Sequence, residues 1–365
     1  MAIAIAVILV VLVVGVIIYL QQPQFGVLPK GERLSRVQAS PNYRDGKFQN
    51  LSHTPQLTEG ASYYSVMKEF VFGQNPRSKP AAMLPSQKTD LLSLDASQNI
   101  LVWFGHSSYF MQVDGKTILV DPVFSGAASP VPASNKSYKG SDVYTVDDFP
   151  PIDYLFITHD HYDHLDYETV LKLRPKIKQV LTGLGTGAHL ERWGYPASMI
   201  TENDWNATTQ LDGNFTVHTV PARHFSGRGL SPQQSLWVSF VLKTPTQTIF
   251  IGGDSGYDTH FATIGQQYGP FDWAILECGQ YDKSWKYIHL MPEEVIQAGI
   301  DLQAKRILPV HWGKFSMGNH AWDDPILRAA TAATANNMPL VTPLIGQPVD
   351  LGGSEVYEDW WKEVE

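Results

Sequence analysis

The first twenty positions are apolar almost without a break. AIAIAVILVVLVVGVIIYL follows the initiator methionine, and no charged side chain interrupts it. At ~1.5 Å per residue such a run makes a helix about 29 Å long, which matches the hydrocarbon layer of a bilayer. A cleavable signal peptide needs a basic start and a small-residue cleavage site, and neither is visible, so the pattern predicts an uncleaved single-pass anchor. Lys30, Arg33, Arg36, Arg44 and Lys47 all follow the span. The positive-inside rule then places the folded body in the cytoplasm, which in a bacterium would put the anchor in the inner membrane.

From 21 to 98 the pattern is mixed: a Pro/Gly-bearing linker, QQPQFG, and then ASYYSVMKEFVFG, which predicts a short helix packed on the body. The body is expected over 99–365. In NILVWFGHSSYFMQVDGKTILVDP, two β-rich runs flank Asp114-Gly115, a strong signal for a tight hairpin. IDYLFIT reads as a short buried strand and YETVLKLR as the helix after it. Further strands are expected at KQVLT, FTVHTVPA, LWVSFVLKT, TIFIGG, WAILE and RILPVHW, and helices at GTGAHLERW, MPEEVIQAGIDLQA and PILRAATAATANN. Antiparallel strands first, with helices interspersed, predict two packed sheets with helices outside. A doubly wound parallel sheet would need a glycine fingerprint after its first strand, which is missing.

A net charge of −9 and a pI near 5.7 argue against a surface that neutralises phosphates, so nucleic acid is not an expected partner. The one cysteine, Cys278, excludes a disulfide framework and a thiolate-rich zinc cluster. A metal site here must be built from histidine and carboxylate.

Such residues crowd the loop between IDYLFIT and YETVLKLR. FITHDHYDHLD offers His159, His161, Asp163 and His164 within six positions. A solvated loop with helix-capping aspartates would not need four spaced ligands behind a buried strand. His224 follows FTVHTVPAR, Asp254 follows TIFIGG and His311 follows RILPV, so each repeats the arrangement of a ligand at a strand end.

The series HxHxDH, His224, Asp254, His311 resembles the metallo-β-lactamase superfamily, over about 100–325. Within it, WFGHSSYFMQVDGKTILVDPVFSGAASP, FPPIDYLFITHDHYDHLDYETV, VPARHFSGRG and HLMPEEVIQAGIDLQAKRILPVHWGKF resemble the branch of N-acyl-phosphatidylethanolamine-hydrolysing phospholipase D and its bacterial relatives. The resemblance implies a four-layer αββα sandwich and two zinc ions, with manganese or iron as alternatives. It implies His159, His161 and His224 on one metal, Asp163, His164 and His311 on the other, and Asp254 bridging. Asp163, Asp254 and His289 are the residues expected to take part in catalysis, with a hydroxide held between the cations attacking phosphorus. Asp121, in LVDP, resembles an aspartate that orients a ligand histidine, or else is a turn residue before Pro122. His289 matches a family histidine near the substrate, able to protonate a leaving alkoxide or hold a phosphate oxygen; it can equally partner the helix after it. His106, in FGHSS, matches a family position near the site, with a hydrogen-bonded structural role as the alternative.

The function this implies is a membrane-anchored dinuclear zinc phosphodiesterase acting on phospholipid, with a homodimer as the family's expected assembly. The alternatives are a lactonase or soluble-phosphodiester hydrolase with the same metals, and a membrane scaffold that binds metal without turnover. Trp285, Tyr287, Trp312, Phe315 and Met317 flank the ligand segments and are candidates to line an acyl-chain groove.

Overall fold

The computed structural model describes residues 2–131 and 133–364. Its first helix, α1 (Ala2–Leu20), meets the body only near its C-terminal end, and among the described side chains of 3–20 none is buried. There follow α2 (Gly31–Ala39), a minimal hairpin of β1 (Tyr43–Arg44) and β2 (Lys47–Phe48), and α3 (Tyr63–Phe72). The start of α3 is fixed by reciprocal serine caps, Ser65 N–H donating to Ser62 Oγ at 3.0 Å and Ser62 N–H to Ser65 Oγ at 2.9 Å. The stretch 21–98 is stitched to the body rather than free. Arg33 Nε and Arg36 Nη2 donate to Glu202 Oε2 at 2.7 and 2.6 Å, and Glu202 Oε1 accepts the amides of Gly185 and Gly187.

The body continues through β3 (Ile100–Trp103), β4 (Tyr109–Val113), β5 (Lys116–Val120), β6 (Ile152–Ile157), α4 (Tyr167–Leu173), β7 (Ile177–Gly183), α5 (Gly187–Arg192) and β8 (Ile200–Asn203). Then come β9 (Thr208–Gln210), β10 (Thr216–Val220), β11 (Ser239–Lys243), β12 (Thr248–Ile251), α6 (His260–Tyr268), β13 (Trp273–Glu277), α7 (Pro292–Asp301), β14 (Ile307–Val310), α8 (Asp324–Asn336) and β15 (Pro348–Asp350).

Two mixed sheets result, in the orders β15-β3-β4-β5-β6-β7-β8 and β14-β13-β12-β11-β10-β9. Each begins with antiparallel pairs and turns parallel, from β5 onward in the first sheet and from β12 onward in the second. Alternate residues explain the layering. Trp103, Met111, Val120 and Phe156 face the second sheet, where Phe156 meets Phe240 edge-on at 5.0 Å. Their neighbours Val102, Phe110, Leu119, Leu155 and Ile157 pack instead on Val170 and Leu173 of α4. Strands buried on both faces read as unbroken apolar runs, which is why ILVW, TILV and YLFI carry no polar alternation. The result is the αββα sandwich. The parallel strands β5, β6, β12, β13 and β14 all end at one edge, and ligand sites gather beyond such strand ends.

Candidate metal centre

The apolar strand β6 delivers Thr158 and then the loop 159–166 to this edge. Asp121, one residue past β5 and held at φ 41°, fixes the loop from behind. Its Oδ1 accepts Thr158 N–H at 2.9 Å and its Oδ2 accepts Thr158 Oγ1–H at 2.6 Å. The same Oδ2 lies 2.8 Å from His164 Nδ1, which donates to it and so turns Nε2 toward Asp163 and Asp254. Likewise His224 Nδ1 is held by the Ile288 carbonyl at 2.8 Å, turning Nε2 inward.

Two clusters form. In the first, His161 Nδ1 lies 2.9 Å from His159 Nε2 and 3.2 Å from His224 Nε2, and Asp254 Oδ2 stands 3.8 and 3.7 Å from His159 and His224. In the second, His164 Nε2 lies 3.4 Å from Asp163 Oδ2, while Asp254 Oδ1 is 3.2 Å from His164 Nε2 and 3.3 Å from His311 Nδ1. Asp254 therefore turns one oxygen to each cluster. His106 joins the second: its Nε2 is 2.9 Å from Asp163 Oδ2 and its ring packs 4.1 Å from that of His311. The ligating atoms lie within 4.8 Å of one another in each of three sets of four: His159, His161, His224 and Asp254; His106, Asp163, His164 and His311; and Asp254, Glu277, His289 and His311.

The residues fit divalent cations on three grounds. His164 Nε2 and Asp254 Oδ1 are buried without a hydrogen-bond partner, a costly state that a cation relieves. Burial holds His159, His224 and His311 well below the usual imidazole range, so their lone pairs are available. Burial pushes the carboxyls of Asp163 and Asp254 up, but the surrounding histidines outweigh it and hold both well below the usual range. Neutral imidazole with carboxylate suits zinc, manganese or iron.

His289 sits at the mouth, with Nδ1 2.7 Å from Glu277 Oε2 and 4.0 Å from Asp254 Oδ2. Glu277, the buried last residue of β13, also accepts Ser255 N–H at 2.6 Å. Burial and then Asp254 raise its carboxyl to about 7. Burial lowers His289, but Glu277 outweighs it and raises the imidazole to about 9. The sequence reasoning missed Glu277 and Ser107, whose Oγ lies 2.8 Å from His311 Nδ1. A signal existed for Glu277, a carboxylate closing the apolar run WAILE; none existed for Ser107.

A cavity of about 450 Å³ opens on His161, Asp163, Asp254 and His289, walled by Leu57, Tyr63, Val66, Phe225, Trp285, Ile288 and Met317. Of the five aromatic and methionine candidates, Trp285 and Met317 line it. Trp312 and Phe315 are core residues, each 1% exposed, with Trp312 stacked on Trp103 at 5.3 Å. Tyr287 lies under the Arg223 guanidinium at 5.0 Å. Trp312 and Phe315 lie outside the groove lining because the turn after β14 packs inward, and Tyr287 because its ring is turned to Arg223.

A histidine–aspartate pair of clusters at the edge of an αββα sandwich defines a metal-dependent hydrolase. The model of the beta-lactamase superfamily domain matches residues 116–312, and the chain belongs to the metallo-β-lactamase superfamily. An uncharacterized protein of Mycobacterium tuberculosis is 38% identical over 327 residues, covering 88% of each chain. The N-acyl-phosphatidylethanolamine-hydrolyzing phospholipase D 1 of Caenorhabditis elegans is 31% identical over 230 residues, covering 59% of this chain and 64% of that one. Among solved structures, a metallo hydrolase of Ignicoccus hospitalis shares the fold with a TM-score of 0.53 at 20% identity, over 69% of this chain and 98% of the other.

Proposed function

We propose that the chain is a membrane-anchored dinuclear phosphodiesterase whose substrate is a phospholipid of the N-acyl-phosphatidylethanolamine kind. The observation that carries this reading is the groove: apolar walls of acyl-chain character run directly up to Asp163, Asp254 and His289. The resemblance to the nematode phospholipase D supports it, and the apolar α1 supports a substrate that stays in the bilayer.

Cations held by His159, His161 and His224, by Asp163, His164 and His311, and by Asp254 between them would polarise a phosphoryl oxygen and acidify water. The chain's own contribution is arrangement. Asp121 and the Ile288 carbonyl fix the two histidines that they touch in one ring orientation, and the walls of the groove exclude bulk water. Glu277 engages His289 Nδ1 at 2.7 Å and raises its pKa, leaving Nε2 as the nitrogen that can give a proton to the departing alkoxide. The products are then an N-acylethanolamine and phosphatidic acid.

The test is hydrolysis of N-acyl-phosphatidylethanolamine in mixed micelles by purified protein, with metal content determined on the same sample and Asp254→Asn as control. Release of both products, lost by a factor of about 100 or more in the variant, supports the reading. Two cations bound without lipid turnover would redirect it to lactones and soluble phosphodiesters or to a metal-binding scaffold, and a chain that takes up less than one cation would overturn the enzymatic reading.

A further inference from the structure

Residues 21–27, between α1 and α2, form a strap across the back of the metal loop, and side chains of the body grip its backbone. Arg192 donates from Nη2 to the Gln21 carbonyl and from Nη1 to that of Gly26, both at 2.8 Å. Trp193 Nε1 donates to the Pro23 carbonyl at 2.8 Å. Arg228 donates to the Gln24 carbonyl from Nε at 3.1 Å and from Nη2 at 2.8 Å. In the other direction, Val27 N–H donates to His189 Nδ1 at 3.0 Å. The approach is so close that only glycine fits beside it. Gly26 has φ +69°, and a Cβ there would lie 2.0 Å from His189 Nδ1.

The same side chains hold the loop. Arg228 Nη1 donates to the carbonyls of Asp160 at 2.8 Å and Leu165 at 2.6 Å, clamping the two ends of the ligand-bearing turn. Its guanidinium lies 4.2 Å over the Tyr162 ring, and Tyr162 donates its hydroxyl back to the Arg228 carbonyl. Because His189 Nδ1 accepts from the strap, its proton sits on Nε2, which faces Asp160 Oδ2 at 3.2 Å. Asp160 stands between His159 and His161, with Oδ2 also accepting Ser235 Oγ–H and Oδ1 accepting Gly227 N–H, both at 2.7 Å. None of Asp160, His189 and Arg228 lines the groove.

We propose that Arg228, His189 and Asp160 are positioning residues through which the strap holds the metal loop in its ligating shape, so that cation retention depends on the segment following α1. This rests on the reading of the loop as a metal centre. Groups behind a ligand histidine set its orientation, and losing one typically weakens metal binding about 10- to 100-fold. A side chain that merely filled space behind the loop would not need to pass a hydrogen bond from strap to ligand turn.

The experiment uses the full-length chain in detergent micelles, titrated with Co2+ against a chelator while the visible absorption of the bound ion is recorded. Thermal unfolding in EDTA reports the fold separately. In His189→Leu, Arg228→Lys and Gly26→Ala, the weaker of the two Co2+ dissociation constants is expected to rise about 10- to 100-fold, with a changed visible band. His189→Gln restores the wild-type value, because its amide accepts from Val27 and donates to Asp160. Wild-type affinity and spectrum in folded His189→Leu and Arg228→Lys would overturn the proposal, as would an equal loss in His189→Gln and His189→Leu. Should His189→Leu not fold, Arg228→Lys and Gly26→Ala decide. A wild-type chain that binds no Co2+ would instead sink the metal-centre reading, and this inference with it.

Discussion

His260 shows how a residue outside the metal set affects the site. It opens α6 fully inside the body, with Nε2 3.1 Å from the hydroxyl of Ser255, the neighbour of Asp254. Burial is the main cause that lowers its pKa to about 4, and Arg223 adds to it. A helix N-terminus disfavours the imidazolium further. In the unfolded chain the same group titrates near 6.5. Between these values the unfolded state binds the proton and the folded state does not, so stability is lost as pH falls from about 6.5 to about 4. The shift is worth on the order of 3 kcal/mol. Urea unfolding of His260→Gln and wild type at pH 7 and pH 4.5 should show the variant losing less stability over that interval; parallel losses would mean that His260 does not carry the acid sensitivity. At this scale much of the site was legible. His159, His161, Asp163, His164, Asp254 and His311 are polar residues at the ends of apolar runs, a contrast visible in one dimension. Arg228 and His189 were not legible as partners of the loop, because their meaning lies in contacts to Gln24 and Val27, more than 160 positions away.

Among elements, the hairpin between β4 and β5 came directly from its turn chemistry. Asp114 at φ 47° and Gly115 at φ 75° are the two left-handed residues that such a turn requires. The long apolar strands were equally plain. The misses were α2, α6, the minimal hairpin of β1 and β2, and the edge strands β8, β9 and β15. β8 and β9 read ITEN and TTQ, with one buried residue between them, so no alternation distinguishes them from loop. They exist because β7 and β10 offer open edges to pair with. α3 was legible as a helix but not in its role: no residue of it is buried, and Tyr63 and Val66 stand at the wall of the groove while Met67, Val71 and Phe72 are exposed outside it. Trp285, on the facing wall, is anchored by Nε1 donating to the Gln280 carbonyl at 3.0 Å. Removing its ring deletes apolar contact worth about 1.5–3 kcal/mol for a fully covered side chain. Trp285→Ala should therefore raise KM for long-chain lipid about 10- to 100-fold and leave a short, soluble phosphodiester unaffected. Equal losses on both substrates would place the tryptophan in the architecture of the site and not in acyl recognition.

For the whole molecule, the question is how the apolar helix and the sandwich act together. The 18 residues of Ile3–Leu20 have a mean hydropathy of 3.4, and side chains from Ile3 at 82% to Val14 at 47% exposed find no partner in the body. A contiguous apolar surface of this kind needs cover, which on the proposed reading a bilayer of matching thickness would supply. The helix ends where Tyr19 donates its hydroxyl to the Pro130 carbonyl and packs at 5.2 Å on Phe25, which in turn meets Tyr162 of the metal loop at 6.2 Å. If α1 is the proposed anchor, these contacts tie the metal loop to the membrane end of the chain, so the helix should matter for lipid and not for soluble substrate. Each arginine at the centre of a span costs about 2.5–3.5 kcal/mol of insertion free energy. Leu9→Arg with Leu12→Arg should thus move the chain from the carbonate-resistant membrane fraction to the soluble fraction. Turnover of lipid in vesicles should fall with it, while hydrolysis of a short phosphodiester in solution holds at the wild-type rate. Retention of the double variant in membranes would show that surfaces of the body, such as the exposed face of α3, hold the protein there without the helix.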